Sequence, residues 1–375
     1  GSSNVAIGLQ ALEESTTANQ NTAVGTYALD ANTTGSYNTS LGYLSLSGNT
    51  TGEQNTGIGR EALLTNTTGN YNVAVGQGAL ALNTTASDNT AVGYDSLKAN
   101  TTGTKNAAFG KDAGKAITEG DQNTAIGARA LQAATTADHN TALGAAALYA
   151  NTTGANNTAV GSQALVANET GADNTAVGMY SLDANTTGGS NTAVGYNSLT
   201  TATTASYNTA VGKNTMTNAT TAAGNVAIGY QAMSSGVQGD YSVAVGQNTL
   251  YNNTGGSNTA IGENALFANT TGYNNTAIGR QALDANTDKS SHTAVGASAL
   301  SANTTGMINT AVGNAALALN TDGDNNVAMG YAALNANTTA DNNTGIGTQA
   351  LEGNTTGGGN TAVGRGAMQA NTTGV

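Results

Sequence analysis

One apolar position and one glycine recur together along the chain with a period of 17 residues. Counted from an anchor residue that is usually Asn, position 4 is apolar and position 5 is Gly in all 22 copies, from Ile7 to Gly364. Position 9 is Leu or Met in 21 copies, with Gly114 as the exception, and positions 3 and 8 are always small. The consensus is N-T-A-V-G-x-x-A-L-x-A-N-T-T-G-x-x, and the single irregular spacing is 16 residues, between Ser242 and Asn258. A fixed period of this size predicts a repeat architecture.

Seventeen residues suit one coil of a β-solenoid made of two short strands and two turns. N-T-A-V alternates with period 2 and carries β-branched residues, which favours a strand. Gly at position 5 ends it in a turn. A-L-x-A is interpreted as a second short strand, although a single helical turn also fits, and N-T-T-G as a second turn in which Asn and Gly take positive φ. The sequence therefore predicts an all-β, parallel β-solenoid (β-roll) of about 22 coils. Its turn and ladder residues are represented by Asn21, Gly25, Asn32, Gly35, Asn89 and Gly93.

The same alternation assigns side chains to the inside and the outside of each coil. The large apolar residues at positions 4 and 9 are predicted to form the core, as in Val24, Leu29, Val92, Leu97, Val160 and Leu165. Position 3 would then point outward, and because it stays small, we expect a partner chain to approach it at Ala23, Ala91 and Ala159. The alternative is that another segment of the same chain crowds position 3. The anchor Asn is expected to stack on the Asn of the next coil, as amide side chains do in cross-β ladders.

Composition supports a repeat fold and argues against ordinary globular domains. Of 375 residues, 51 are Gly, 9% are charged and 4% are aromatic, which is too little large apolar material for a core of the usual size. Pro is absent, as a continuous backbone ladder requires. The strict placement of the apolar residues excludes disorder. We expect residues 1–375 to form one repeat solenoid, and because neither end carries a capping element, we expect a piece of a longer fibre.

Charge and reactive residues exclude several classes of function. The net charge is −12 and the ten basic residues are scattered, so no nucleic-acid footprint is present. No apolar run is long enough to span a membrane. With two His and no Cys, no catalytic set can be assembled, so no enzyme, no metal site and no cofactor are expected. The aspartates before the anchors are interpreted as solvated turn residues rather than Ca²⁺ ligands, and N-T-T as a turn rather than a glycosylation acceptor.

Part of each repeat resembles the head repeats of trimeric autotransporter adhesins, which carry an N-S-V-A-I-G motif. The matching pieces are SNVAIG at 3–8, YNVAVG at 71–76, GNVAIG at 224–229 and YSVAVG at 241–246. The phrase covers about a third of each repeat. The A-L-x-A-N-T-T-G part departs from that family, and the full phrase is similar to repeats of bacteriophage tail fibres and bacterial surface fibres. The resemblance implies a left-handed roll, three chains side by side and an extracellular or virion-borne fibre.

These observations favour a non-enzymatic structural or adhesive fibre shaft, at the cell surface, outside the cell or on a virion. Self-association into a homotrimer or a filament is the expected partnership, with a host-cell or surface receptor as a further candidate partner. One alternative is an ice- or surface-binding solenoid that uses Thr, Asn and Ala arrays such as the column begun by Thr33 and Thr34. A second alternative is a self-assembling extracellular filament subunit. The exposed Tyr residues at variable positions fit sugar stacking, an interface or simple coverage of the backbone.

Overall fold

The computed structural model describes residues 1–374, in which every regular element is a three-residue strand contributed by positions 2 to 4 of one repeat. The strands are β1 Val5–Ile7, β2 Thr22–Val24, β3 Thr39–Leu41, β4 Thr56–Ile58, β5 Val73–Val75, β6 Thr90–Val92, β7 Ala107–Phe109, β8 Thr124–Ile126, β9 Thr141–Leu143, β10 Thr158–Val160, β11 Thr175–Val177, β12 Thr192–Val194, β13 Thr209–Val211, β14 Val226–Ile228, β15 Val243–Val245, β16 Thr259–Ile261, β17 Thr276–Ile278, β18 Thr293–Val295, β19 Thr310–Val312, β20 Val327–Met329, β21 Thr344–Ile346 and β22 Thr361–Val363.

The described chain forms two compact units, and each is a parallel β-solenoid of 17-residue coils. The first unit covers residues 1–190 with β1 to β11, and the second begins at Asn191 with β12 to β22. Within each unit every strand pairs in parallel with the next, so that equivalent residues of successive coils lie side by side. Ala159, for example, pairs with Ala142 on one side and Ala176 on the other. The predicted all-β parallel solenoid is confirmed.

The A-L-x-A segment is not the second strand that the sequence predicts. Positions 7 and 9 adopt positive φ, as in Tyr27 at 59° and Leu29 at 52°, which breaks any extended conformation. The segment nevertheless continues the ladder between coils, because the Leu29 N–H donates to the Ser45 carbonyl of the next coil at 3.1 Å. Each coil therefore combines one short strand with a segment of tight turns, and both bond to the neighbouring coil.

The core lies between the strand and the leucine segment, and only half of the predicted assignment is correct. Leu29, Leu97 and Leu165 are fully buried, as predicted. The assignment of Val24, Val92 and Val160 to the core is wrong, because these side chains are on the outer side of the strand and only half-buried. The assignment of Ala23, Ala91 and Ala159 to an outer interface is also wrong, because all three are 0% exposed within one chain.

The leucine column explains why position 3 is always small. A Cβ added to Gly57, which replaces Ala at position 3, would lie 2.7 Å from Ser45 Oγ and 3.2 Å from Leu46 Cγ of the preceding coil. At Gly345 the added Cβ would lie 3.3 Å from Leu334 Cγ. The interior has room for a methyl group and little more, since interiors are close-packed. Crowding within one chain, the alternative expectation, is therefore the correct explanation.

Two columns of buried asparagines close most coils. At position 12, Asn49 Nδ2 donates to Asn32 Oδ1 of the preceding coil at 2.8 Å. At position 1 the side chain also bonds to the backbone, because Asn38 N–H donates to Asn21 Oδ1 at 2.8 Å, and in some coils it forms the expected amide ladder, as from Asn123 Nδ2 to Asn106 Oδ1 at 3.1 Å. Asn21 Nδ2 and Asn32 Nδ2 both donate to the Gly35 carbonyl at 2.9 Å. Most buried amide groups of these columns are thereby satisfied within the chain. The atoms left without a hydrogen-bond partner in the described part of the columns are Asn100 Oδ1, Asn185 Oδ1, Asn225 Nδ2, Asn286 Oδ1 and Asn343 Nδ2.

Positive φ occurs at the position 5 glycine, as predicted, but in the second turn it falls on a different residue from those predicted. Gly25 has φ of 140°, and a Cβ there would collide with the carbonyl oxygen of Gly42, so glycine is required at position 5. Asn32 and Gly35 do not take positive φ; the turn places it on position 17, as in Tyr37 at 64°. The small size of Gly35 matters instead for the close approach of the next coil, where the Gly52 carbonyl lies against it.

The irregular coil at 225–257 keeps the ladder intact by local replacements. In place of the turn amide, Gln238 is buried and its Nε2 donates to the Met233 carbonyl at 2.9 Å. In the 16-residue coil the missing residue falls in the N-T-T-G turn, where Asn253 Nδ2 donates to the Gly255 carbonyl, two residues on rather than three. Strand pairing continues across the shortened coil, with Val243 opposite Thr259.

Candidate interaction surface

The outer side of the strands forms a repeated, uncharged surface in each unit. We call it the T-x-V face, and it consists of the side chains at positions 2 and 4 of every strand. Position 2 is Thr in 16 copies, Val in five and Ala in one; position 4 is Val, Ile, Leu, Phe or Met in all 22. None of these 44 positions carries a charged residue. The solvent-facing side of a strand normally carries polar and charged residues. An outer face that is uncharged and half apolar therefore indicates an interaction surface.

Exposure at position 4 is highest at Val363 and Ile7, in the outermost coils, and elsewhere it is higher for the larger side chains. No position 4 residue is buried, and half of them are clearly exposed: Ile7, Leu41, Phe109, Ile126, Leu143, Ile228, Ile261, Ile278, Met329, Ile346 and Val363. Phe109 and Met329 are 40% and 43% exposed. Successive copies pair side by side, as Val160 does with Val177. The result is an apolar column that runs from coil to coil through each unit.

The two edges of this face carry opposite charge. Position 6, just after each strand, holds six charged residues, five of them basic: Arg60, Lys111, Lys213, Arg280 and Arg365, against Glu263. We call this the basic edge. Positions 16 and 17, just before the anchor, hold eight acidic residues against the single cation Lys105: Glu53, Asp88, Asp121, Asp138, Asp173, Asp240, Asp324 and Asp341. We call this the acidic edge.

Aromatic side chains also gather at these edges. Ten of the 14 tyrosines occupy position 6, 16 or 17: Tyr37, Tyr43, Tyr71, Tyr94, Tyr196, Tyr207, Tyr230, Tyr241, Tyr273 and Tyr331. Tyr207 and Tyr241 are the most exposed, at 71% each. On the basic edge, Lys111 Nζ lies 5.8 Å from the Tyr94 ring centroid and Lys213 Nζ lies 5.9 Å from that of Tyr196. Tyrosines around an uncharged centre resemble the composition of protein interfaces.

Aspartates at position 16 have a structural role that the sequence interpretation missed. Asp138 Oδ1 accepts the Asp121 N–H at 2.7 Å, and Asp121 Oδ1 in turn accepts the Thr104 N–H at 2.6 Å. Asp341 and Asp324 repeat this bond in the second unit, at 2.7 Å. Asn or Ser accepts the same bond elsewhere, as Asn70 does from Glu53 N–H. The repeated choice of Asp, Asn and Ser at position 16 was the available signal.

The N-T-T turn is used internally. Thr33 Oγ1 donates to the Thr50 carbonyl of the next coil at 3.0 Å, and the following coils repeat the bond. Asn32 is fully buried, so the side-chain amide that N-glycosylation of the N-T-T sequence would modify is not accessible in the folded chain. The side chains of the Thr33 column are therefore part of the coil-to-coil ladder, whereas those of the Thr34 column are exposed.

A shallow apolar groove of about 450 Å³ lies at positions 10 and 11 of the first unit. Its floor is the alanines at 99, 116 and 133, and its walls include Leu82, Gln132 and Tyr149. Lys98 and Lys115 border the groove, but both contact the buried Asp95 at 3.1 Å, and Lys115 also contacts Asp112 at 2.9 Å. The hydrogen bond to Asp112 raises the pKa of Lys115. The two cations are thus held by carboxylates of the same chain.

His292 takes the place of the anchor Asn in one coil. Its Nδ1 accepts the Asn309 N–H at 3.2 Å, which requires a neutral ring, and it is 1% exposed. Burial lowers the pKa of His292 to about 4. The other histidine, His139, is exposed at position 17 of a coil in the first unit.

Comparisons with known proteins do not assign the chain to a family. No family model matches it, and no curated protein matches it. Residues 1–374 contain no group of three or more His, Cys, Asp or Glu side chains that could hold a metal ion. The same residues contain no helix that is long and apolar enough to cross a membrane. The T-x-V face and its two charged edges are therefore the strongest candidate for a functional surface.

Proposed function

We propose that the chain is a non-enzymatic structural or adhesive rod, the shaft of an extracellular fibre carried by a bacterial surface or a virion. The observation that carries the proposal is the repetition of the same bonds from coil to coil within each unit, through the strand, the leucine segment and both Asn columns. A coil of this kind contacts only its neighbours, so adding coils adds length. Acid–base or metal chemistry would require converging reactive groups, whereas here the residues that recur most regularly are Gly, Ala, Leu and Asn.

Association into a homotrimer or a filament, and capture of a host-cell or surface receptor, belong to the same proposal. The uncharged T-x-V face supports association, and the exposed tyrosines of its edges support contact with sugars or proteins. An extracellular or virion-borne location agrees with a chain that contains no cysteine and few charges, since it relies on backbone ladders for stability.

The spacer role is tested by displaying the full chain on a bacterial host between an outer-membrane anchor and a small epitope. A matched control replaces the chain with a short Gly/Ser linker. We expect antibody-coated beads to reach the epitope far better with the chain than with the linker, because stacked coils hold the epitope away from the surface. Equal access would contradict the spacer role. Retention of displaying cells on other cells or on glycan surfaces would assign the adhesive role in addition.

A second candidate is binding to ice or another crystalline surface. The observation that favours it is the regular presentation of position 2 threonines such as Thr22, Thr39 and Thr158, with strands about 4.8 Å apart. Against it, position 4 varies in size from Val to Phe, so the face is not even. Thermal hysteresis with faceted ice crystals would favour this candidate, and its absence at high protein concentration would remove it.

A further inference from the structure

We infer that the T-x-V face is covered by the T-x-V face of a second copy of this chain, with the coil axes of the two copies parallel. The inference deepens the proposed function and rests on it, because a fibre supplies identical neighbours. Its starting point is that 44 outward positions carry no charge and that position 4, although never buried within one chain, is always apolar. Contact with water alone would not favour an apolar side chain in every copy of position 4.

The area of the face within one unit is sufficient for a specific association. Eleven strands at about 4.8 Å and three residues at about 3.3 Å give a strip of roughly 500 Å² in each unit. Two such strips in contact would bury roughly 1,000 Å² in total, which is the lower limit expected of a biological interface. Flat sheets with apolar outer side chains pack against other sheets at about 10 Å.

The spacing of the face identifies an identical chain as its partner. Side chains at position 4 recur once per strand, in register, as Val160, Val177 and their neighbours do. A second copy repeats with the same spacing, so its side chains can enter the gaps between coils along the whole strip. A globular partner has no surface with this period over eleven coils. The chain is acidic overall, but its charges lie outside the face, so two copies can meet there without bringing like charges into the centre.

Charge on the two edges determines the relative direction of the copies. A half-turn about an axis parallel to the coil axis brings two faces together and places the end of each strand opposite the beginning of its counterpart. The basic edge of one copy then lies along the acidic edge of the other. In β4 the two edges carry Arg60 and Glu53, so Arg60 of each copy would lie opposite Glu53 of the other. A half-turn about the strand direction would instead place the two acidic edges together, which complementarity disfavours.

Arg60 is available for this contact. Its side chain is 59% exposed, and its bond to Glu61 Oε1 at 2.8 Å uses the Nε and one Nη of a guanidinium that has five N–H donors. Glu53 is exposed; its backbone N–H donates to Asn70 Oδ1 at 2.7 Å and its carbonyl accepts the Tyr71 N–H at 3.1 Å, while its carboxylate has no hydrogen bond among the described residues. The two groups are therefore free to form the pair at the rim, where its contribution is to direction more than to affinity.

Solution mass and a pair of matched variants test the association. We expect light scattering to give a mass of at least two chains for the wild type. The variant Val160→Glu with Val177→Glu places two carboxylates in the face and should weaken association by at least about tenfold. The control Thr170→Glu with Thr187→Glu adds the same charges to exposed turn positions of the same coils and should associate like the wild type. A monomeric wild type, or a face variant that associates normally, would overturn the inference.

Far-UV circular dichroism of the face variant checks that it has folded. If it has not, Val160→Thr with Val177→Thr, which places a residue typical of position 2 on the same strands, replaces it, with the same expected direction of change.

Cross-linking tests the relative direction of the two copies. Because the chain contains no cysteine, an introduced cysteine is the only site that reacts. Single variants Glu53→Cys and Arg60→Cys are mixed and treated with a short bismaleimide. The parallel arrangement predicts a cross-link in the mixture and none in either variant alone. Cross-links of Glu53→Cys with itself would overturn the parallel arrangement. Epitope access in the display experiment does not depend on these results, so failure of the association and failure of the spacer role are distinguishable.

Discussion

Ile117 fills the space that Gly114 leaves open in the seventh coil. Gly114 stands where other coils have Leu or Met, and Ile117 stands where most have Asn. A Cβ added to Gly114 would lie 3.1 Å from Ile117 Cδ1, and Ile117 is 1% exposed. In this coil the large apolar side chain is therefore at position 12 instead of position 9. The exchange leaves Asn100 Oδ1 buried without a hydrogen-bond partner, because Ile117 has no amide to donate.

This exchange predicts strong coupling between the two residues. Gly114→Leu alone should lower the free energy of unfolding by about 1–3 kcal/mol through overpacking. Ile117→Asn alone should lower it by about 2–5 kcal/mol, because it empties the core at a coil that lacks Leu. The double variant should return to within about 1 kcal/mol of the wild type, since φ at Gly114 is 57°, close to the leucine value, and the introduced asparagine can donate to Asn100. Urea unfolding of the four proteins measures the coupling, and additive effects would contradict it.

The two sides of strand β10 should respond in opposite ways to enlargement. Ala159→Leu should destabilise the chain by about 1–3 kcal/mol, because the added carbons enter the space held by the leucine column. Val160→Leu should change stability by less than about 0.5 kcal/mol, because the side chain lies on the outer face, where Leu41 and Leu143 already occur. Thermal and urea unfolding at a concentration where the chain is monomeric compare the two. Equal effects would mean that the inside and the outside have been assigned wrongly.

The anchor asparagine should be costly to remove from the middle of a unit. Asn157 Oδ1 accepts the Asn174 N–H at 3.0 Å, and its Nδ2 donates to the Gly171 carbonyl at 2.8 Å. Asn157→Ala should lower the unfolding free energy by about 1–3 kcal/mol, because a buried N–H loses its acceptor. Thr170→Ala, at an exposed turn position of the same coil, is the control and should be nearly neutral. An equally small effect at Asn157 would show that water or a shifted backbone satisfies the freed groups.

His292 predicts a loss of stability in mild acid. Its pKa is about 4 in the folded chain and 6.5 when unfolded, so the unfolded state binds the proton more readily between these values. The contribution of the neutral ring is complete above pH 6.5, falls as the pH is lowered, and is lost by pH 4, a difference of about 3 kcal/mol. His292→Asn should remove this part of the pH dependence, whereas His139→Asn, at an exposed position, should leave it. Unfolding midpoints across this pH range decide the matter, and parallel curves for wild type and His292→Asn would contradict the prediction.

The period and the composition were enough to predict the solenoid, the strand at positions 2 to 4 and the leucine core. They could not decide which side of that strand faces inward. Alternation defines two faces, and the usual rule places the larger apolar residue inside. Here the leucine segment passes so close to the strand that only the methyl of Ala23 fits, and Val24 is displaced to the outside. That distance is determined by the closed coil as a whole, so it cannot be predicted from the sequence of any one segment.

The prediction of a second strand was wrong for a related reason. Positive φ is usually signalled by Gly or Asn, but at positions 7 and 9 it is adopted by residues such as Tyr27 and Leu29. Burial of the leucine and the bonds to the next coil outweigh the local preference. The charged edges, in contrast, were readable from the aligned repeats, since basic residues collect at position 6 and acidic ones at positions 16 and 17. Their meaning became clear only once the strand face between them was known to point outward.

The bonds between coils have a mechanical consequence for a chain held at its two ends. Tension along the stack of a unit loads the hydrogen bonds between an outermost coil and its neighbour, such as those that pair Thr361–Val363 with Thr344–Ile346, before those of the interior. Coils should therefore peel away singly, and each releases 17 residues, or about 56 Å of extended chain at about 3.3 Å per residue. A tether built this way extends in small steps under load and dissipates the energy of a sudden pull without breaking.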